Sequence, residues 1–143
     1  MNALVLDASI GVKLFVVEAE TSEAIRLVFA AERVCYPSLL LTEMVGSIIV
    51  RLRADGFDPG GIKDAIVEVQ ELLQRDGFER TDAGLLFKEA VDLAIETTAW
   101  LADCHYIVLA RRLQLPLLTA DKRQATVARS CEVEVVLLEA LAP

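Results

Sequence analysis

The sequence predicts an α/β fold, a three-layer α/β/α sandwich around a central, mostly parallel sheet. Short apolar runs without polar alternation recur along the chain, segments of helical period separate them, and two of the runs stop at an aspartate. A continuous apolar run reads as a strand buried on both faces, which is the condition of a parallel sheet covered by helices. Strands alternating with helices are the pattern of that architecture.

The elements follow in order. Ala3-Leu4-Val5-Leu6 is the first buried strand, and Asp7-Ala-Ser-Ile opens a helical pattern reaching about Val17. Thr21-Ser22-Glu23 starts a second helix that runs to about Glu32. Val34-Cys35-Tyr36-Pro37 reads as a short strand or turn. Ser38 is placed to cap a long helix that extends to about Ala54. Asp55-Gly-Phe-Asp-Pro-Gly-Gly is a loop by its turn residues. A helix follows from Ile62 to about Arg75, then a brief strand over Gly77–Thr81, then a helix from Ala83 to about Thr97. Leu101–Leu113 is helical. Pro116–Ala120 is a strand that ends at Asp121, a short helix follows, and Glu134–Leu138 is the last strand. No internal repeat or low-complexity linker interrupts the series, so one domain over residues 1–143 is expected.

Composition narrows the class. Hydrophobic residues make up 55% of the 143 residues and mean hydropathy is +0.46, which excludes a disordered chain. The longest nearly apolar run, Val34–Val50, is interrupted by Pro37, Ser38, Thr42, Glu43, Gly46 and Ser47, and so does not read as a membrane span. The first residues lack the basic start and small-residue cleavage site of a secretory signal. Cys35, Cys104 and Cys131 are odd in number and form no CxxC pair. Reduced thiols and a cytoplasmic location are therefore expected. One histidine, His105, leaves no His/Cys zinc set.

The net charge of −8 argues at first against a nucleic-acid partner. Its distribution softens that reading. Leu101–Ser130 carries five bases, Arg111, Arg112, Lys122, Arg123 and Arg129, against two acids, Asp103 and Asp121. The acidic middle of the chain reads as a solvated surface.

Four acids stand out. Asp7 is the only charged side chain in the first twelve residues, and alone it reads equally well as a helix N-cap. Glu43 is the only charged side chain between Val34 and Val50. On so apolar a helix it is expected to be partly buried, and so needs either a cation or an ion-pair partner such as Arg51 or Arg53. Asp103 and Asp121 each open a helix, and each alone could be only a cap. Ligands in open parallel sheets bind beyond the carboxyl ends of the strands, where Asp7 and Asp121 fall. If all four acids meet there, they form an oxygen-rich, negative pocket whose repulsion a divalent cation relieves. Oxygen ligands without histidine or cysteine suit Mg²⁺ or Mn²⁺, and such ions act on phosphoryl oxygens and bound water.

With these residues in hand the chain resembles the PIN-domain family, and within it the VapC-type toxins of type II toxin–antitoxin pairs. The resemblance rests on Val5-Leu6-Asp7-Ala8-Ser9, on Thr42-Glu43, on Asp103 with Tyr106 on the same helix, and on Ala110-Arg-Arg-Leu-Gln-Leu-Pro-Leu-Leu-Thr-Ala-Asp121. It implies a PIN-like sandwich and a metal-dependent endoribonuclease. In that reading Asp7, Glu43, Asp103 and Asp121 bind the metal and position the attacking water, with the hydroxyls of Ser9 and Thr119 in support. It also implies an RNA substrate, a homodimer and a small cognate antitoxin whose tail occupies the groove. Ala102 departs from the pattern, since an aromatic residue often precedes the third acid.

The remaining polar and aromatic residues divide. Lys122 and Arg123 directly follow a proposed ligand and are read as substrate contacts. Arg111 and Arg112 read equally as a solvated helix end. His105 reads as structural, and Trp100 and Phe15 as core or interface rather than as base-stacking platforms. Alternatives to the toxin are a housekeeping RNA-processing nuclease, an aspartyl-phosphate phosphoryl-transfer enzyme, and a binding module that has lost activity. Ser9 stands where a haloacid-dehalogenase phosphatase wants a second aspartate, and Met1–Leu6 lacks the acidic pair of a receiver domain.

Overall fold

Five strands, β1 (Ala3–Leu6), β2 (Arg33–Pro37), β3 (Phe78–Thr81), β4 (Leu117–Thr119) and β5 (Val135–Leu137), form one sheet in the order β3-β2-β1-β4-β5. The computed structural model describes residues 2–139, so the unit expected over 1–143 extends past the described residues at both ends. Every strand pair is parallel, where a mostly parallel sheet was expected. Among the described residues seven α-helices connect the strands: α1 (Ala8–Gly11), α2 (Thr21–Ala30), α3 (Leu40–Ala54), α4 (Pro59–Leu73), α5 (Phe87–Glu96), α6 (Leu101–Leu113) and α7 (Lys122–Ser130). Among the described residues no helix is long and apolar enough to cross a membrane.

β1 lies at the centre because its residues tolerate no water on either side. Leu4, Val5 and Leu6 are all fully buried. The chain first moves outward on one side, from β1 to β2 to β3, and then jumps back over the sheet to β4 and β5 on the other. Right-handed crossovers put connections that run in opposite directions on opposite faces. Helices α1 to α4 accordingly cover one face, while α6 and α7 pack on the other, with α5 against α6. The strand order therefore reverses between β1 and β4, the place where an open parallel sheet leaves a crevice at its carboxyl edge.

Several boundaries differ from the sequence reading, each for a local reason. The helix expected to run to Val17 stops at Gly11 and tightens into a 3₁₀ turn over Val12–Leu14. Lys13 is drawn inward there, bonding the Ala19 carbonyl at 2.9 Å and pairing with Glu18 and Glu20. Ser38 is not a cap. The N-cap of α3 is Leu39, without a side-chain bond, and Ser38 Oγ instead accepts from the Ala83 N–H at 2.8 Å. The 55–61 loop is shorter than expected, because Asp58 caps α4 through the Gly61 N–H at 2.7 Å and Pro59 occupies its first turn. The helix expected from Ala83 to Thr97 is a 3₁₀ turn, Ala83–Leu85, followed by α5. Cys35 and Cys104 are buried and Cys131 is half-buried, all three as free thiols.

Candidate active site

Asp7 is placed by the ladder itself. Its N–H donates to the Leu118 carbonyl at 3.1 Å, which extends the β1–β4 pairing by one residue and aligns Asp7 with the end of β4. Its extended backbone (φ −84°, ψ 152°) turns the chain into α1, and its carboxylate caps that helix through the Ser9 N–H at 3.1 Å. The N-cap reading and the site reading are thus both satisfied by one side chain, only 5% exposed.

A buried carboxylate needs donors, and Ser9 nearby and Gln124 far along the chain supply them. Ser9 Oγ donates to Asp7 Oδ2 at 2.5 Å and Thr119 Oγ1 lies 3.2 Å from the same oxygen. Gln124 Nε2 donates to Asp7 Oδ1 at 3.1 Å. The hydroxyls are themselves oriented from behind. The Ala120 N–H donates to Ser9 Oγ at 2.9 Å, and the Asp121 N–H to Thr119 Oγ1 at 3.0 Å. A hydroxyl has one proton, and Thr119 has its shorter contact, 2.7 Å, to Gln124 Oε1. That bond fixes the amide so that its NH₂ faces Asp7 and, at 3.4 Å, the Asp103 carbonyl. Burial still holds the Asp7 carboxyl above the usual aspartate range, against the lowering effect of these bonds.

The other three acids face the same edge from three helices. Asp121 caps α7, its Oδ1 accepting from the N–H groups of Arg123 at 2.8 Å and Gln124 at 3.1 Å. Glu43, half-buried on α3, accepts from the Tyr106 hydroxyl of α6 at 2.6 Å. Arg51 pairs with Glu18 instead, so the ion-pair reading of Glu43 does not hold for that arginine. Glu43 is pushed up by burial, an effect that the Tyr106 bond eases and the charge of Asp7 reinforces. Asp103, on the first turn of α6, is pushed up to about 7 by burial and then by the charges of Asp7, Asp121 and Glu43. Asp103 thus feels the other three acids as one field. Burial and the neighbouring Glu43 carboxylate also push the Tyr106 phenol upward.

The four acids share a field without yet forming a closed cage. Among the described residues, no three acidic, histidine or cysteine side chains stand close enough to grip an ion. Two of the acids are held back by protein donors, Asp7 by Ser9 and Gln124, and Glu43 by Tyr106. The donor chemistry nonetheless fits a hard divalent cation: oxygen only, and mutually repelling.

The sequence reading missed Gln124, which is 1% exposed and touches Asp7, Thr119 and Asp103. The signal was present. Gln124, Ala125 and Ala128 form the buried stripe of α7, and a lone amide on such a stripe needs partners. Tyr106 was noted only through the family pattern, and the structure gives it a bond. Lys122 and Arg123 are exposed at the start of α7, and Arg123 Nη2 reaches the Thr98 carbonyl at 3.5 Å. Arg111 and Arg112 both pair with Glu89. His105 Nδ1 lies 2.8 Å from the Leu101 carbonyl one turn back, as a structural histidine does. Phe15 packs against the core. Trp100 does not belong to it: it is 70% exposed, at the N-cap of α6 where the backbone is extended.

An all-parallel five-stranded sheet with acids at its central crevice defines a class, and sequence comparison agrees. The PIN domain family model matches residues 4–130, and the chain belongs to that family. None of the curated proteins matches it by sequence. Among solved structures it is similar to the VapC20 toxin of Mycobacterium tuberculosis, described as cleaving the sarcin-ricin loop. That likeness has 15% identity and a TM-score of 0.71, covering 86% of this chain and 93% of that one. It is also similar to VapBC-5 of the same organism, a member of the VapBC toxin–antitoxin family, with 17% identity, a TM-score of 0.61, and 96% and 100% covered. A third is VapBC2 from Rickettsia felis, bound to a fragment of its promoter DNA, with 11% identity, a TM-score of 0.59, and 96% and 99% covered. At such identities the likeness is one of fold.

Proposed function

We propose that this chain is a Mg²⁺- or Mn²⁺-dependent endoribonuclease and the toxin half of a toxin–antitoxin pair. The observation that carries the reading is the convergence of Asp7, Glu43, Asp103 and Asp121, from β1, α3, α6 and the β4–α7 turn, on one field at the sheet's carboxyl edge. The fold it shares with VapC20, VapBC-5 and VapBC2 supports the toxin assignment. Those three are, by description, a cleaving toxin and two systems that include an antitoxin. The same likeness supports a small antitoxin as partner; an RNA substrate, a second copy of the chain and a cytoplasmic setting complete the proposal.

Asp7, Glu43, Asp103 and Asp121 would hold the ion, which when bound lowers the pKa of a water molecule and polarises the scissile phosphate. The chain's own residues prepare for it. Ser9 and Gln124 hold both oxygens of Asp7 in place, so that little motion is left to lose. Tyr106 steadies Glu43 in the same way. Asp103, protonated in part near neutrality, gives up that proton when positive charge arrives, which couples ion uptake to pH. Lys122 and Arg123 offset the local negative field and meet phosphates.

The test is cleavage of a broad set of RNAs by the antitoxin-free protein with Mg²⁺ or Mn²⁺. Activity should vanish in EDTA and in the Asp7→Asn variant. Equal inertness of wild type and variant on every RNA, with no Mn²⁺ uptake by calorimetry, would sink the nuclease reading in favour of a binding module.

A further inference from the structure

Trp100 is the single tryptophan of the chain, and it is 70% exposed. An exposed indole three residues before a site acid calls for an occupant. Its surroundings indicate one. Trp100 lines a pocket of about 180 Å³ together with Asp103 and Gln124 of the acid site, and with Thr98, Arg123 and Thr126. The lining therefore combines an aromatic side chain, a cation and one of the four site acids, Asp103. Arg123 lies across the pocket from α7 to the Thr98 carbonyl, and its charge acts on Asp103. A flat apolar face, a guanidinium and polar edges within one crevice match the parts of a nucleotide: base, phosphate and sugar hydroxyl. A protein segment would not account for the guanidinium so near the acids, whereas a polyanion needs a cation there.

Resting on the nuclease reading, we infer that Trp100 and Arg123 form a nucleotide subsite beside the acid cluster, in which an unpaired RNA base stacks on the indole and its phosphate meets the guanidinium. Bases stack on aromatic side chains whatever their identity, since each presents a π face, and unpaired bases are free to do so. The pocket thus selects single-stranded RNA over duplex. Trp100 contributes no side-chain bond to the cap of α6, so its removal leaves the helix intact.

A single tryptophan makes the test direct. Its fluorescence is titrated with a single-stranded oligoribonucleotide, with an abasic ribose-phosphate chain of equal length, and with a duplex. Wild type is used in EDTA, and Asp103→Asn in Mg²⁺, so that no bond is cut. Binding of a labelled oligoribonucleotide by Trp100→Ala, Trp100→Phe and Arg123→Ala is followed by anisotropy, with circular dichroism as the check on folding. The single strand should quench the indole, and the abasic chain and the duplex should not. Trp100→Ala should bind roughly 5- to 150-fold more weakly, while Trp100→Phe keeps most of the affinity. Arg123→Ala should weaken binding and flatten its salt dependence.

The subsite is overturned if the abasic chain quenches as strongly as RNA, or if Trp100→Ala binds as wild type does. It is equally overturned if the fluorescence follows only protein concentration, which would assign the indole to a contact between two copies. These outcomes separate the two readings. Base-dependent quenching without cleavage keeps the subsite and removes the nuclease. Cleavage that needs Asp7 and ignores Trp100 does the reverse.

Discussion

Asp103 answers to two opposed demands. Its carboxyl sits where burial and three like charges disfavour ionisation, yet an ion site needs the carboxylate. Residues kept for function against stability behave this way. Asp103→Asn should therefore lower RNA cleavage by about 100-fold or more, as loss of an essential electrostatic group does, while raising the melting temperature at pH 8. Cleavage assays and thermal melts on the same preparation check both directions. If the variant is active and also less stable, the account of Asp103 is wrong. Tyr106 is a positioning residue in the same sense. Tyr106→Phe removes only the hydroxyl that donates to Glu43. It should weaken Mn²⁺ uptake roughly 10- to 100-fold by calorimetry, as loss of a ligand's supporting bond does, at a stability cost of about 1 kcal/mol.

Three of the acids were legible in the sequence because they broke a local pattern, Asp7 and Asp121 after continuous apolar runs and Glu43 on an apolar helix, whereas Asp103 at a helix start is a weak signal by itself. Their supports were not legible, because an amide or a phenol breaks no such pattern. Gln124 bonds Asp7 across 117 positions, and no local window spans that distance. Of the two readings of Trp100, core and interface, its exposure removes the first. Bulk and apolarity argue for burial on average, and no local window shows that this indole is exposed.

At the scale of elements, the strands were readable and the turns between them less so. Continuous apolar runs fixed β1, β4 and β5, whereas the end of α1 depended on Lys13 finding Glu18 and Glu20. Two glycines show how far local geometry decides tolerance. Gly77 precedes β3 with φ +91°, and a Cβ there would stand 2.7 Å from the Glu32 carbonyl oxygen, which is fixed backbone. Gly77→Ala should cost about 1–3 kcal/mol in urea unfolding and loosen the β2–β3 edge. Gly46 lies inside α3, where an added Cβ meets nothing within 4 Å. Gly46→Ala should stabilise by up to about 1 kcal/mol. Equal effects of the two changes would contradict the backbone positions described.

For the whole molecule, the acid cluster sets a pH dependence whose sign can be worked out. Asp103 ionises near 3.8 in an unfolded chain and near 7 when folded. Between those values the folded form holds a proton that the unfolded form has lost, so stability falls as pH rises through that window and levels off above it. Asp7 and Glu43 shift in the same direction. Glu23, Glu79 and Glu89 shift the other way, held down by exposed arginines. Their contribution is lost only as pH falls below the usual glutamate range, and exposed pairs contribute little. In EDTA the protein should therefore melt several degrees higher at pH 5 than at pH 8. Mg²⁺ should narrow that gap by stabilising the ionised cluster, and Asp103→Asn should narrow it without metal. A flat profile in EDTA would show that the four acids do not share a field.

The strand order has a consequence for the sequence of events in which the acid site is completed as the chain is made. β1 is synthesised before the other four strands but is completed on one side by β4, and Asp7 is completed by Gln124, 117 positions later. A ribosome-bound intermediate carrying Asp7, Glu43 and even Asp103 still lacks the strand and the amide that hold the first of them. The support of Asp7 is therefore assembled only after β4 and α7 have been made.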